Sequence, residues 1–213
     1  MKTTKFFPFS ISILIISWVV AFLYEPTLPG QIAIHWNIKG EADGYIDKSI
    51  GIYMMPMTST VIYMLFLVLP KISPRGFRLD NVKNVLGILL LTILSLDFII
   101  MVMMFEATLS PEFNITQWTY FLVGVLFVVL GNYMGKLPKN FFIGIRTPWT
   151  LVSDEVWFKT HKLGGRIFFA TGLLTSLGSL LNWPHIAMVT LLCMAALIPL
   201  VHSFVIYKKI EGL

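Results

Sequence analysis

The sequence predicts an all-α polytopic membrane protein with six transmembrane helices and both termini in the cytoplasm. Three observations carry this. The chain of 213 residues is 56% hydrophobic and 13% charged, where soluble domains run near 45–50% and about 25%, and its mean hydropathy is +0.79. Six apolar runs recur along it, each close to the ~20 residues that a helix needs to cross a bilayer core. The loops between the runs alternate in basic residues. Composition alone excludes a soluble enzyme with a polar surface and a disordered chain.

The runs are residues 6–24, 50–69, 85–105, 118–134, 163–181 and 186–207. The first follows Lys2 and Lys5, as the apolar core of a signal peptide would. It is long, however, and Phe22-Leu23-Tyr24-Glu25-Pro26 offers no small-residue cleavage site, so a retained first span is expected. Helices are expected throughout, because an open strand cannot satisfy its backbone in lipid and the dyad alternation of an outer-membrane barrel is absent. In the fifth run Arg166 falls in the first turn, from which it can snorkel to the interface.

Charge fixes the expected orientation. Lys2, Lys5, Lys71, Arg75, Arg78, Lys83, Lys136, Lys139, Arg146, Lys159, Lys162, Arg166, Lys208 and Lys209 fall on one side, which is 14 of the 16 basic residues. Only Lys39 and Lys48 fall on the other. The positive-inside rule places the richer side in the cytoplasm. The chain divides into an N-terminal two-helix membrane domain, residues 1–83 with an outer loop at 25–49, and a four-helix membrane region, residues 84–213 with an inner loop at 135–162. Cys193 is the only cysteine, so no internal disulfide can form.

Enzyme motifs are missing. Gly131-Asn132-Tyr133-Met134-Gly135-Lys136 falls short of a phosphate-binding loop, with three residues between its glycines and Leu137 where a hydroxyl must bind magnesium. Gly131 and Gly135 instead make a GxxxG pair suited to close helix packing, and Gly172, Thr175, Ser176 and Ser179 make a packing stripe. No cofactor and no metal site are expected.

In the outer loop Ile32, Ile34 and Trp36 alternate as on one face of a short strand, and Asp43-Gly44 is a turn signal. Trp36 and Tyr45 suit the headgroup level. His35, Glu41 and Asp43 are either a ligand or metal site or the polar groups of a compact loop. In the inner loop Pro148 drives Thr147 toward extended geometry, Ser153 is placed to cap a helix, and Asp154 and Glu155 suit its first turn. A short amphipathic helix on the inner leaflet is expected to precede the fifth span, with Trp149 and Trp157 as interface anchors. Arg146 carries a fork suited to phosphate or carboxylate; lipid contact or an ion pair with Asp154 or Glu155 uses the same fork.

Asp97 is the one acid inside a run. A carboxylate at that depth marks either a function or a hydrogen bond between helices, with Thr58, Ser59 and Thr60 as the best-placed partners.

The stretch Phe142-Ile143-Gly144-Ile145-Arg146-Thr147-Pro148-Trp149-Thr150-Leu151, followed by Glu155, Trp157, His161 and Arg166, closely resembles the signature of the SdpI family. Gly131-Asn132-Tyr133-Met134-Gly135 is similar to that family too. The segment from Ile34-His35-Trp36 to Gly40-Glu41-Ala42-Asp43-Gly44-Tyr45 resembles the small membrane domain of unknown function that often accompanies it. The resemblance implies a multi-pass bacterial cell-membrane protein, not an enzyme, that confers resistance to a secreted antimicrobial peptide toxin of SdpC type. It also implies a signalling receptor that sequesters a winged-helix repressor on the cytoplasmic face. Membrane lipids are the other expected partners, and no direct nucleic-acid contact is expected. Candidate residues for ligand or regulator binding are then Arg146, Thr147, Pro148, Trp149, Glu155, Trp157 and His161, with His35, Trp36 and Asp43 in the outer loop and Asp97 within the membrane. The competing expectation is a small proton-linked transporter resting on Asp97.

Overall fold

The computed structural model describes residues 6–37, 39–72 and 83–211. The elements run α1 (Phe6–Tyr24), β1 (Gln31–Trp36), β2 (Ala42–Asp47), α2 (Lys48–Ile72), α3 (Lys83–Leu109), α4 (Ile115–Met134), α5 (Pro148–Val152), α6 (Asp154–Leu180) and α7 (His185–Glu211). Among the described residues six helices are long and apolar enough to cross a membrane: α1, α2, α3, α4, α6 and α7. Each contains or closely overlaps one of the six apolar runs. Lys2, Lys5, Arg75 and Arg78, used above for topology, lie outside the described residues.

The chain forms two compact units, one of residues 1–68 and 84–119, the other of residues 69–83 and 120–213. The third helix shares a core with the first two.

In the first unit the hydroxyls of Ser10, Ser12 and Ser17 in α1 bond back to the carbonyls of Phe6, Pro8 and Ile13. A polar group in hydrocarbon is satisfied that way without a partner helix. The core of this unit joins Ala21 and Leu28, Ile32 of β1, Ile52 of α2, and Met101, Met104 and Phe105 of α3. Tyr24 packs on Phe105 at 5.2 Å between ring centroids, and its hydroxyl donates to Glu106 Oε1 at 2.5 Å.

The outer loop is an antiparallel hairpin. Its turn lies earlier than expected. Asn37 Oδ1 accepts from the N–H groups of Lys39 and Glu41, and Gly40 takes φ +82, a conformation that suits glycine. Asp43 and Gly44 sit inside β2, so they are not the turn. The expected alternation in β1 fails as well. Register shifts fall on both sides of His35, and Ile32 and Ala33 are buried while Ile34 is exposed. A bulge re-aims side chains in this way, and period-two patterning cannot foresee it. The Ala33 N–H donates to Thr108 Oγ1 at 3.2 Å, pinning the hairpin to α3.

In the second unit α4 and α6 touch through glycines. A methyl on Gly172 would lie 2.5 Å from the Gly124 carbonyl oxygen, and one on Gly165 would lie 2.9 Å from that of Gly131. The pairs 124/172 and 131/165 run in opposite chain directions, as antiparallel helices require. Without hydrophobic drive in lipid, such close backbone approach is the main source of helix association. Ser176 of the expected packing stripe adds a bond from its hydroxyl to the Phe121 carbonyl at 3.2 Å.

Candidate functional site

The inner loop is a built scaffold. After α4, Asn140 is almost fully buried and ties the chain into a tight turn. Its Oδ1 accepts from the N–H groups of Phe142 and Ile143, and its Nδ2 donates to the carbonyls of Pro138 and Ile143. Gly144 then takes φ +118, and the position its Cβ would fill is occupied by His161 Nε2. Only glycine tolerates both conditions.

His161 is 1% exposed. Its Nε2 accepts from the Ile145 N–H at 2.9 Å, and its Nδ1 faces the Trp157 carbonyl at 2.8 Å. One nitrogen must accept and the other must donate, so the proton sits on Nδ1. The ring stacks on Trp157 at 4.0 Å between centroids, and Trp157 Nε1 donates to the Leu137 carbonyl at 2.8 Å.

Beyond Ile145, Thr147 caps α5. Its hydroxyl accepts from the Thr150 N–H at 3.2 Å, while its own N–H donates to Thr150 Oγ1 at 2.9 Å. This is a capping box with threonine in both places. Pro148 occupies the first helical position, where its missing N–H costs nothing. Thr147 Oγ1 also meets Ser203 Oγ of α7 at 3.1 Å, and the Trp149 ring lies 4.9 Å from that of Phe204. Ser153 caps α6 as its position predicts, accepting from the Val156 N–H at 3.4 Å.

The candidate residues therefore separate by burial. Thr147, Trp157 and His161 are buried, Trp149 is half-buried, and Arg146, Pro148 and Glu155 are exposed. Trp157 is not an interface anchor, because it is 3% exposed and spends its N–H on Leu137. The separate amphipathic helix before the fifth span is also corrected: α6 runs unbroken from Asp154 to Leu180, so that segment forms its first turns. Arg146 pairs with neither acid. Asp154 binds Lys139 and Glu155 binds Lys159, each at 2.5 Å, while Arg146 Nη1 donates to the Phe141 carbonyl.

In the hairpin His35 Nδ1 meets Asp43 Oδ1 across the two strands, on an exposed face, and Trp36 is half-buried. Glu41 accepts from Asn37 Nδ2 at 2.9 Å. Among the described residues no group of three or more His, Cys, Asp or Glu is placed to hold a metal ion. Asp97 accepts from Ser59 Oγ at 2.5 Å. Thr58 and Thr60, the other hydroxyls expected near it, bond to their own helix at Met54 and Pro56.

Asn140 and Thr150 were not among the candidates, yet they hold the loop's shape. Each is a residue type that bonds to nearby backbone, and an asparagine two residues after Pro138 is a recognisable turn former.

Comparison with known proteins gives the relationship. Residues 136–203 match the SdpI/YfhL protein family, and residues 12–60 match a domain of unknown function, DUF1648. The immunity protein SdpI of Bacillus subtilis (strain 168) is 27% identical over 206 residues, covering 95% of this chain and 96% of that protein. No solved structure matches the chain. The likeness to the SdpI family seen in the inner-loop sequence is thus confirmed, as is its N-terminal companion domain. With six helices able to span a bilayer, this is a multi-pass bacterial membrane protein.

Proposed function

We propose that this chain is an immunity protein of the bacterial cell membrane, protecting the cell that carries it against a secreted antimicrobial peptide of SdpC type. One observation carries the proposal: the match to the immunity protein SdpI runs over nearly the full length of both chains. Protection by binding or excluding the peptide needs no covalent chemistry, in keeping with a sequence that lacks nucleophile and metal-hydrolase motifs. With both termini in the cytoplasm, as the loop charges imply, the hairpin faces the side from which the peptide arrives.

The inner loop then serves signal output. Its signature residues Gly144, Thr147, Trp157 and His161 fix the backbone, and Arg146 stands exposed on that fixed frame. A rigid arginine fork suits a carboxylate on a protein partner, and a winged-helix repressor held at the inner face is the partner proposed. The test is expression in peptide-sensitive bacteria together with a fluorescently tagged repressor. Survival and peptide-dependent recruitment of the repressor to the membrane are expected. Survival without recruitment would leave immunity standing and remove the receptor role, and killing at the control dose would remove immunity.

A further inference from the structure

The glycine contact between α4 and α6 leaves a cleft of about 440 Å³, floored by Gly131, Gly135 and Gly165 and walled on one side by Phe169. Asn132, Lys136, Lys162 and Arg166 line the rest. Three cations thus share one small space. Lys162 and Arg166 are four residues apart on α6, a spacing at which like charges face each other and repel.

The surrounding protein does not neutralise them. Between Glu112 and Glu211 the sequence holds only two acids, Asp154 and Glu155, and these are bound to Lys139 and Lys159. Lys136 Nζ rests over the Tyr133 ring at 4.9 Å and Lys162 Nζ over the Phe158 ring at 5.7 Å. Both contacts are to neutral groups. Arg166 is exposed and has no polar partner among the described residues.

We propose that this cleft binds the phosphate headgroup of an anionic phospholipid, with Arg166 supplying a fork and Lys136 and Lys162 supplying charge. Depth selects a lipid over a free anion. The apolar helix α4 ends at Met134, two residues before Lys136, so the cations stand where hydrocarbon gives way to headgroups. Phe169 lies one turn of α6 beyond Gly165, on the wall along which an acyl chain descends. The site is independent of any peptide toxin.

The test uses the purified full-length protein in detergent, offered phosphatidylglycerol and phosphatidylcholine in equal amounts, with bound lipid counted by native mass spectrometry. The wild type retains phosphatidylglycerol preferentially. Each cation removed lowers that preference by roughly fivefold, so R166Q weakens it and K136Q/K162Q/R166Q abolishes it. R166K, which keeps the charge and loses the fork, falls between wild type and R166Q. K208Q/K209Q, which removes two cations elsewhere, leaves the preference intact. Equal retention of the two lipids by the wild type, or undiminished preference in the triple variant, would overturn the proposal. So would full displacement of the lipid by excess inorganic phosphate, which would make the cleft a site for free anions.

Discussion

His161 holds the backbone of Ile145. The imidazole of a residue in α6 accepts the N–H of a loop residue 16 positions earlier, at 2.9 Å, beneath a glycine whose missing side chain leaves room for the ring. Arg146 is the next residue, so the position of the exposed guanidinium depends on a buried ring. Replacing His161 by phenylalanine keeps a ring against Trp157 and removes the acceptor. The Ile145 N–H then loses its partner, at a cost of about 1–3 kcal/mol. His161→Phe is expected to insert normally and melt below the wild type in detergent, with faster proteolysis at residues 141–146. An unchanged melting temperature would mean that the bond contributes nothing.

Gly144→Ala attacks the same lock from the other side. At φ +118 an alanine is strained by about 1–3 kcal/mol, and its methyl would overlap His161 Nε2. Both effects act together, so this variant is expected to lose more stability than His161→Phe. Thermal melting of the two variants side by side checks the order.

The α4–α6 contact makes a sharper contrast. A methyl on Gly131 would meet the Gly165 carbonyl oxygen at 2.7 Å and Phe169 Cα at 2.9 Å, both main-chain atoms that cannot rotate away. Gly131→Ala is expected to destabilise by about 1–3 kcal/mol, the usual range for overpacking. Gly30→Ala, where nothing lies within 4 Å, is expected to melt as the wild type does.

Asp97 and Ser59 separate the immunity account from a proton-linked transporter. An asparagine at position 97 still offers an oxygen to the Ser59 hydroxyl but cannot carry a proton. If the pair joins α2 to α3, Asp97→Asn keeps membrane level and peptide resistance, while Asp97→Leu lowers stability. Loss of resistance in Asp97→Asn at normal membrane level would favour proton coupling.

Much of this architecture was legible because hydropathy is a local property. The run at residues 6–24 coincides with α1, and the glycine spacing around Gly131 announced close packing. The lone acid of the third span pointed to the hydroxyls of the second, of which Ser59 bonds to it. What was missed is not carried by hydropathy. Residues 154–162 carry Lys159, His161 and Lys162 and do not look like a span, yet helix continuity is set by backbone bonds, so α6 begins at Asp154. Trp157 has the composition of an interface residue, and only the Leu137 carbonyl, 20 residues away, explains its burial. The same holds within the inner-loop signature. As sequence it is one continuous string of candidates, whereas in three dimensions most of it is framework and Arg146 is what the framework presents.

The most direct measurement is a killing curve. Toxin-sensitive bacteria expressing the wild type, Arg146→Ala or Gly144→Ala at matched membrane levels are titrated with an SdpC-type peptide. The account predicts that the wild type shifts the killing dose upward by tenfold or more, about 1.4 kcal/mol or above in effective binding terms, that Gly144→Ala loses most of the shift, and that Arg146→Ala inserts normally while losing protection or repressor recruitment. A killing dose for the wild type equal to that of cells without the protein would contradict it.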